Sequence, residues 1–215
     1  MDIFYYKKFF PDWILVGTTT REFGDVSIRD KTNKERLAEI LHIPKNRLVS
    51  LKQEHTAVIK EIYIDSRLPL QGKRGNDRRK ETGDGLFTKE KNICLLIKSA
   101  DCLPILMVET QQRIIVALHA GRVGTQNNIV QQGLEKIIKL NANPKFIKVI
   151  FGSSIERKCY TMDLVEENKN QLINFGVLKE NIFINQDCTY CHNDIYYSYR
   201  RGDKEARMAN FVMMV

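Results

Sequence analysis

Cys102 closes the segment SADC and His119 closes the apolar run IIVALH, two residues ahead of Gly121. Thiolate and neutral imidazole suit Zn²⁺, whereas a buried thiol on its own needs neither a metal nor a partner. The stretch from 102 to 119 is too long for a local metal loop, so the fold has to close it. A third ligand must come from elsewhere. His55, in KQEHTAV, lies at a break between two apolar runs and is the best placed; His42 borders a helix end and Pro44, and His192 lies in a separate polar turn. Three protein ligands with an open fourth position make a catalytic centre that acidifies bound water, and four closed ligands only brace a fold. The competing reading is a hydrogen-bonded strand-end imidazole and a small buried hydrophobe.

Other residue types extend the chemistry. Asp101 can orient a ligand or an attacking water, or satisfy backbone amides. The glycines of AGRVG allow close backbone approach ahead of a helix, where amides would face an anion; an ordinary strand-to-helix turn reads the same way. Arg200 and Arg201 follow Tyr196, Tyr197 and Tyr199, which suits stacking beside phosphate contacts or simple alternation along a strand. Cys188 and Cys191 form CTYC with His192 directly after. A redox pair favours a helix start, and a structural zinc would need further ligands, of which Cys159 is the one other cysteine nearby, so turn packing is the simpler expectation. Cys94, inside an apolar run, belongs to the core.

Elements must position these groups. WILVGTTT, from Trp13 to Thr20, reads as a strand; Thr32 and Glu35 form a capping box ahead of Leu37, Ile40 and Leu41. LVSLKQEHTAVIKEIYI reads as strand, interruption, strand, with His55 in the interruption. Residues 71 to 85, with Lys73, Arg74, Arg78, Arg79 and Lys80, describe a solvated loop. NICLLIKSA, ILMVE and IIVALH are candidate core strands. TQNNIVQQGLEKIIKL reads as one helix capped by Thr125, with Ile129, Val130, Leu134, Ile137 and Ile138 on its apolar face. FIKVIFG is a strand, LVEENKNQLINFG a helix closed by Gly176, and NIFIN, DIYYSYR and NFVMMV are late strands, the last two joined by a short polar helix.

The 215 residues carry a composition ordinary for a soluble globular chain, 43% hydrophobic and 28% charged, and are expected to form a single domain over 1–215. Apolar stretches are strand-sized and the N-terminal residues show no signal-peptide pattern, which points to a cytoplasmic protein with no membrane partner. Five cysteines leave at least one unpaired and argue against a disulfide framework. A net charge of +8 favours anionic ligands without choosing among nucleic acid, phosphate and nucleotide.

The series QEHTAVI, TGDGLFT, SADCLPILM, ALHAGRVGT, FGSSIERKCYTMD and CTYCHNDIYYSYRRG resembles, in order and spacing, the multicopper polyphenol oxidase (laccase-like) family, also described as the YfiH-like or peptidoglycan editing factor family. The resemblance spans Thr18 to Val212. It implies an α+β fold, a layered α/β/β/α sandwich of mixed sheets with flanking helices. It implies a purine nucleoside phosphorylase acting on adenosine, inosine, guanosine and methylthioadenosine, with adenosine deaminase activity at the same site. It also implies zinc held by His55, Cys102 and His119, and Arg21 as the match to the family's early arginine. The chain departs from the family where His-Ala-Gly-Trp-Arg-Gly becomes His119-Ala120-Gly121-Arg122-Val123-Gly124, and where Gly-Pro becomes Gly152-Ser153.

On this reading the catalytic set is His55, Cys102, His119 and Asp101, and Arg21, Gly121, Arg200 and Arg201 hold substrate or phosphate. The expected partners are a nucleoside and phosphate, taken by a monomer. Three other readings stand beside it: a Cu²⁺-dependent phenol oxidase, a metal-independent hydrolase with Cys102 activated by His119, and a non-catalytic nucleic-acid binder using the 73–80 loop.

Overall fold

The computed structural model describes residues 2–6, 8–27, 32–63 and 81–215. Among the described residues eleven strands run in chain order: β1 (Ile3–Tyr5), β2 (Ile14–Thr19), β3 (Leu48–Val49), β4 (Ile59–Glu61), β5 (Gly85–Thr88), β6 (Cys94–Ser99), β7 (Leu103–Glu109), β8 (Ile114–Ala120), β9 (Ile147–Phe151), β10 (Ile182–Ile184) and β11 (Met208–Met214). Four helices accompany them: α1 (Thr32–Ile40), α2 (Arg122–Gln126), α3 (Ile129–Ile138) and α4 (Leu164–Phe175). One sheet has the order β1-β2-β11-β6-β3 and the other β10-β9-β7-β8-β5-β4, each mixing parallel and antiparallel pairs.

Residue parity builds the layers. In β8, Ile115 and Ala117 join Leu106, Val108 and Ile150 and meet Leu95, Ile97, Val212 and Met214 of the facing sheet. The alternate residues Ile114, Val116 and Leu118 point the other way, against Ile129, Leu134 and Ile137 of α3 and Leu164 and Leu172 of α4. On the opposite side, Cys94, Leu96, Phe211 and Met213 pack against Leu37 and Leu41 around α1. Strands apolar on both faces are what a doubly covered sheet requires, and each fully buried Leu or Ile stabilises by about 1.5–3 kcal/mol. The result is the α+β layered sandwich, helix on sheet on sheet on helix.

Several expectations change in detail. The helix anticipated over residues 125–140 is two helices, because Asn128 adopts a left-handed conformation (φ 55°) between them. Thr125 is therefore inside α2, and its hydroxyl accepts from Asn168 Nδ2 on α4 at 2.9 Å. Thr32 is the first helical residue of α1, and the position ahead of it lies outside the described residues, as do all five basic residues of the 73–80 loop.

DIYYSYR is not a strand. Its backbone donors are committed locally and to side chains: the Ile195 and Tyr196 N–H groups to the His192 carbonyl, Tyr197 N–H to Met208 Sδ, Ser198 N–H to Asp203 Oδ2 and Arg200 N–H to Asp101 Oδ2. A ladder cannot use donors already committed. Tyr196 and Tyr197 are both buried while Tyr199 is half exposed, so the tyrosines do not alternate, and the connection to β11 is turn rather than helix. No helix among the described residues is long and apolar enough to cross a membrane.

Candidate metal centre

His119 stands at the end of β8 and Cys102 immediately before β7. These two strands pair antiparallel, with Pro104 opposite His119 and Leu103 opposite Ala120. The hairpin thus returns the start of one strand to the end of the other and closes the long gap between the two residues. His55 arrives from the bend between β3 and β4, in a left-handed conformation (φ 59°). One ligand atom each from His55, Cys102 and His119 lies within 4.8 Å of the others. The imidazoles sit edge to face with centroids 4.9 Å apart. His42 and His192 are not part of this cluster.

A residue with no role assigned from the sequence anchors it. Asp84, at the entrance to β5, is fully buried, and its Oδ1 lies 2.8 Å from His119 Nδ1. Oδ1 also accepts the His55 N–H, and Oδ2 accepts the N–H groups of Glu54 and Thr56 and the Thr56 hydroxyl. Successive amides converging on one carboxylate make an anion nest, which the left-handed turn at His55 allows. Register puts Asp84 there: Gly85 pairs with Leu118, and His119 N–H donates to the Asp84 carbonyl at 2.7 Å. The signal in the sequence was TGDG, an acid between glycines at the mouth of an apolar strand.

Electrostatics follow from this packing. Burial opposes the Asp84 charge, but His119 and the bonds from Thr56 outweigh it and hold the carboxyl down at about 2. Burial likewise opposes a Cys102 thiolate, yet the His119 and His55 imidazoles bring the thiol down to about 6. His119 moves up to about 9 because Cys102 and Asp84 offset its desolvation. With Nδ1 committed to Asp84, His119 presents Nε2 to the cluster, the carboxylate–histidine arrangement that orients metal ligands.

Gly121 lies against this group. A Cβ there would stand 3.0 Å from both Cys102 Sγ and His55 Cδ2. It also precedes α2, and its carbonyl accepts the Thr125 N–H. Asp101, left-handed at φ 95°, lines the cavity, but its carboxylate is engaged by the Thr189 hydroxyl and the Arg200 N–H, both at 2.8 Å. Such strain persists only where surrounding bonds impose it; here they hold the turn that presents Cys102.

The cluster forms the base of a cavity of about 730 Å³, within the usual range for small-molecule sites. Lys98, Arg122, Arg200, Lys204 and Arg207 line it against two acids, Asp101 and Glu205. Tyr160 and Tyr199 add aromatic faces, with the Arg200 guanidinium 5.0 Å from the Tyr160 ring centre. Burial brings the Lys98 ammonium down to about 8, with Lys34 and Arg207 adding to the effect. Arg21 and Arg201 are placed elsewhere: both bind Asp203 and the Tyr196 carbonyl, and Arg201 also ties down the Thr189 and Tyr190 carbonyls. Their guanidinium groups are spent on holding the 189–203 loop.

The profile of a family described as multi-copper polyphenol oxidoreductase laccase matches residues 18–164 and 160–215. A purine nucleoside phosphorylase of Mycobacterium tuberculosis is 28% identical over 217 residues, covering 89% of this chain and 82% of that protein. A protein of unknown prokaryotic origin named adenosine deaminase RL5 is 26% identical, covering 83% and 79%. Among solved structures, YlmD of Geobacillus stearothermophilus superposes with a TM-score of 0.81 at 25% identity, covering 94% of this chain and 92% of that one. The fold is shared as well with YfiH of Bacillus licheniformis, at a TM-score of 0.83, 22% identity and coverage of 95% and 94%. The chain belongs to the multi-copper polyphenol oxidoreductase laccase family.

Proposed function

We propose that the protein is a zinc-dependent purine nucleoside phosphorylase that also deaminates adenosine at the same site. The observation carrying this reading is the His55–Cys102–His119 donor set at the floor of a cationic, tyrosine-lined cavity. The names of the relatives from Mycobacterium tuberculosis and of RL5 support the two activities. A thiolate with two imidazoles suits zinc, and the bare Gly121 leaves the donors room to approach one ion. Zinc held there supplies Lewis-acid polarisation and a water acidified toward neutrality.

The chain's own residues do the rest. Asp84 keeps the His119 proton on Nδ1. Lys98 and Arg200 hold the phosphate, which attacks C1′ of the ribose as the bond to the purine nitrogen breaks, giving ribose 1-phosphate and free base. Tyr160 and Tyr199 flank the nucleoside. Deamination exchanges the adenine amino group for a water-derived oxygen and releases ammonia.

A second reading has its own observation. Cys102, His119 and Asp84 are also disposed as a thiolate, an imidazole and an orienting carboxylate, which is what a metal-independent cysteine hydrolase requires. His55, the third donor within ligand distance, has no place in that chemistry and favours a metal. Metal analysis of purified protein, with purine base and ammonia assayed from adenosine and inosine with and without phosphate, separates the readings. Zinc bound at the centre and activity lost in Cys102→Ala and on chelation are expected; full turnover by metal-free protein refutes the proposal. Copper at the centre with oxygen uptake on a phenol would refute it in favour of the oxidase that the family description names.

A further inference from the structure

Three cysteines that the centre does not use lie together in segments next to the cavity-lining Tyr160 and to Thr189. The sulfurs of Cys159, Cys188 and Cys191 all fall within 4.8 Å of one another, and Cys159 Sγ is 3.6 Å from Cys191 Sγ. Tetrahedral ligands about 2.3 Å from one ion stand about 3.8 Å apart, whereas a disulfide requires about 2.05 Å. Two separate segments supply them: Cys159 ends the short turn Arg157–Cys159, and the other two form the CTYC turn, in which the Cys188 carbonyl accepts the N–H groups of Cys191 and His192.

The backbone N–H of Glu156 donates to Cys188 Sγ at 3.5 Å. Lys158, next in sequence to Cys159, is ion-paired to Glu156 at 2.9 Å. Thiols packed only as small hydrophobes have no use for N–H donors aimed at sulfur.

We infer that Cys159, Cys188 and Cys191 form a second cation site for a thiophilic divalent ion of the zinc class, three cysteines holding the ion and solvent taking the fourth position beside the exposed Cys191. Binding releases the thiol protons to solvent and joins the two segments. Thr189, next to Cys188, bonds Asp101 beside Cys102, and Tyr160, next to Cys159, lines the cavity. The ion therefore braces the wall that presents Cys102, and the inference does not depend on which reaction runs there.

Cadmium reads the site directly. In a Cys102→Ala background, which silences the first centre, Cd²⁺ titration followed by the ultraviolet thiolate-to-cadmium band should saturate at a single ion per chain. Adding Cys191→Ala, at an exposed position that spares the core, or Cys159→Ser, from the other segment, should weaken that binding at least about a hundredfold, with far-ultraviolet circular dichroism unchanged. Absence of a cadmium band in the Cys102→Ala protein overturns the inference, as does a band that survives both additional substitutions. A Cys159–Cys191 disulfide in protein isolated without reductant, found by peptide mass, overturns it as well.

Discussion

Asp84→Asn is the substitution that bears hardest on how the centre is held. The amide is isosteric with the carboxylate, so packing is preserved and only charge and donor–acceptor pattern change. If the new NH₂ takes the Oδ1 position it confronts the His55 N–H and the His119 ring; at Oδ2 it confronts the N–H groups of Glu54 and Thr56. In either orientation at least one buried amide loses its acceptor, and the charge assistance to His119 is gone. Each unsatisfied buried donor costs about 1–3 kcal/mol, so a loss of about 3 kcal/mol is expected. For a chain of this size that lowers Tm by roughly 6–12 °C. Zinc affinity should fall about 10–100-fold, because His119 is no longer fixed with Nε2 free for the metal.

The effect has a pH signature in the metal-free protein. A carboxyl held at about 2 against an ordinary value near 3.8 contributes stability that is complete above pH ~4 and lost as pH falls through about 2, worth about 2 kcal/mol. The stability gap between parent and Asp84→Asn should therefore narrow between pH 4 and 2 in equilibrium urea unfolding. A variant that melts within about 2 °C of the parent and binds zinc within about threefold of it, by chelator competition, would refute the role given to this carboxylate.

Gly121→Ala should lower zinc affinity about tenfold while leaving the fold intact, since the added methyl meets Cys102 Sγ and His55 Cδ2 at 3.0 Å and the backbone, at φ −80°, carries no strain; unchanged zinc competition would show that the donors do not need that space. Lys98 loses its proton as pH rises through about 8, so KM for phosphate should climb across that range and the rise should vanish in Lys98→Met; an identical profile in both proteins removes Lys98 from the anion site. Arg200→Ala should raise KM for phosphate about tenfold, while Arg21→Ala should act through Tm, because its guanidinium is bound to Asp203. Steady-state kinetics beside calorimetry distinguish the two, and the reverse pattern would place Arg21 in the site.

Much of the layering was legible because short, near-continuous apolar runs specify strands covered on both faces, and β6, β7, β8, β9 and β11 all carry them. The late turn misled for a physical reason. DIYYSYR has strand propensity, but Asp101 and Asp203 take its amide hydrogens from about 100 residues away and from a few residues ahead, respectively. No local pattern reports such a competitor. Arg21 and Arg201 carry no local signal of where they bind, since an arginine free for phosphate and one bonded to a carboxylate look alike until Asp203 is placed.

The centre itself follows from strand register more than from motif. Once IIVALH and LPILMVE are taken as neighbours joined by a tight turn at residues 110–113, antiparallel pairing carries Cys102 to the level of Gly121 and His119. Pairing of β5 with β8 in turn sets Asp84 opposite His119. His55 is then the one candidate ligand that no ladder positions, and backbone amides of its turn fasten it to the carboxylate bonded to His119. A single buried acid thereby couples the loop-borne ligand to the strand-borne one. A change at Asp84 should displace both histidines together, while Cys102, set by the hairpin and by Asp101, should stay in place.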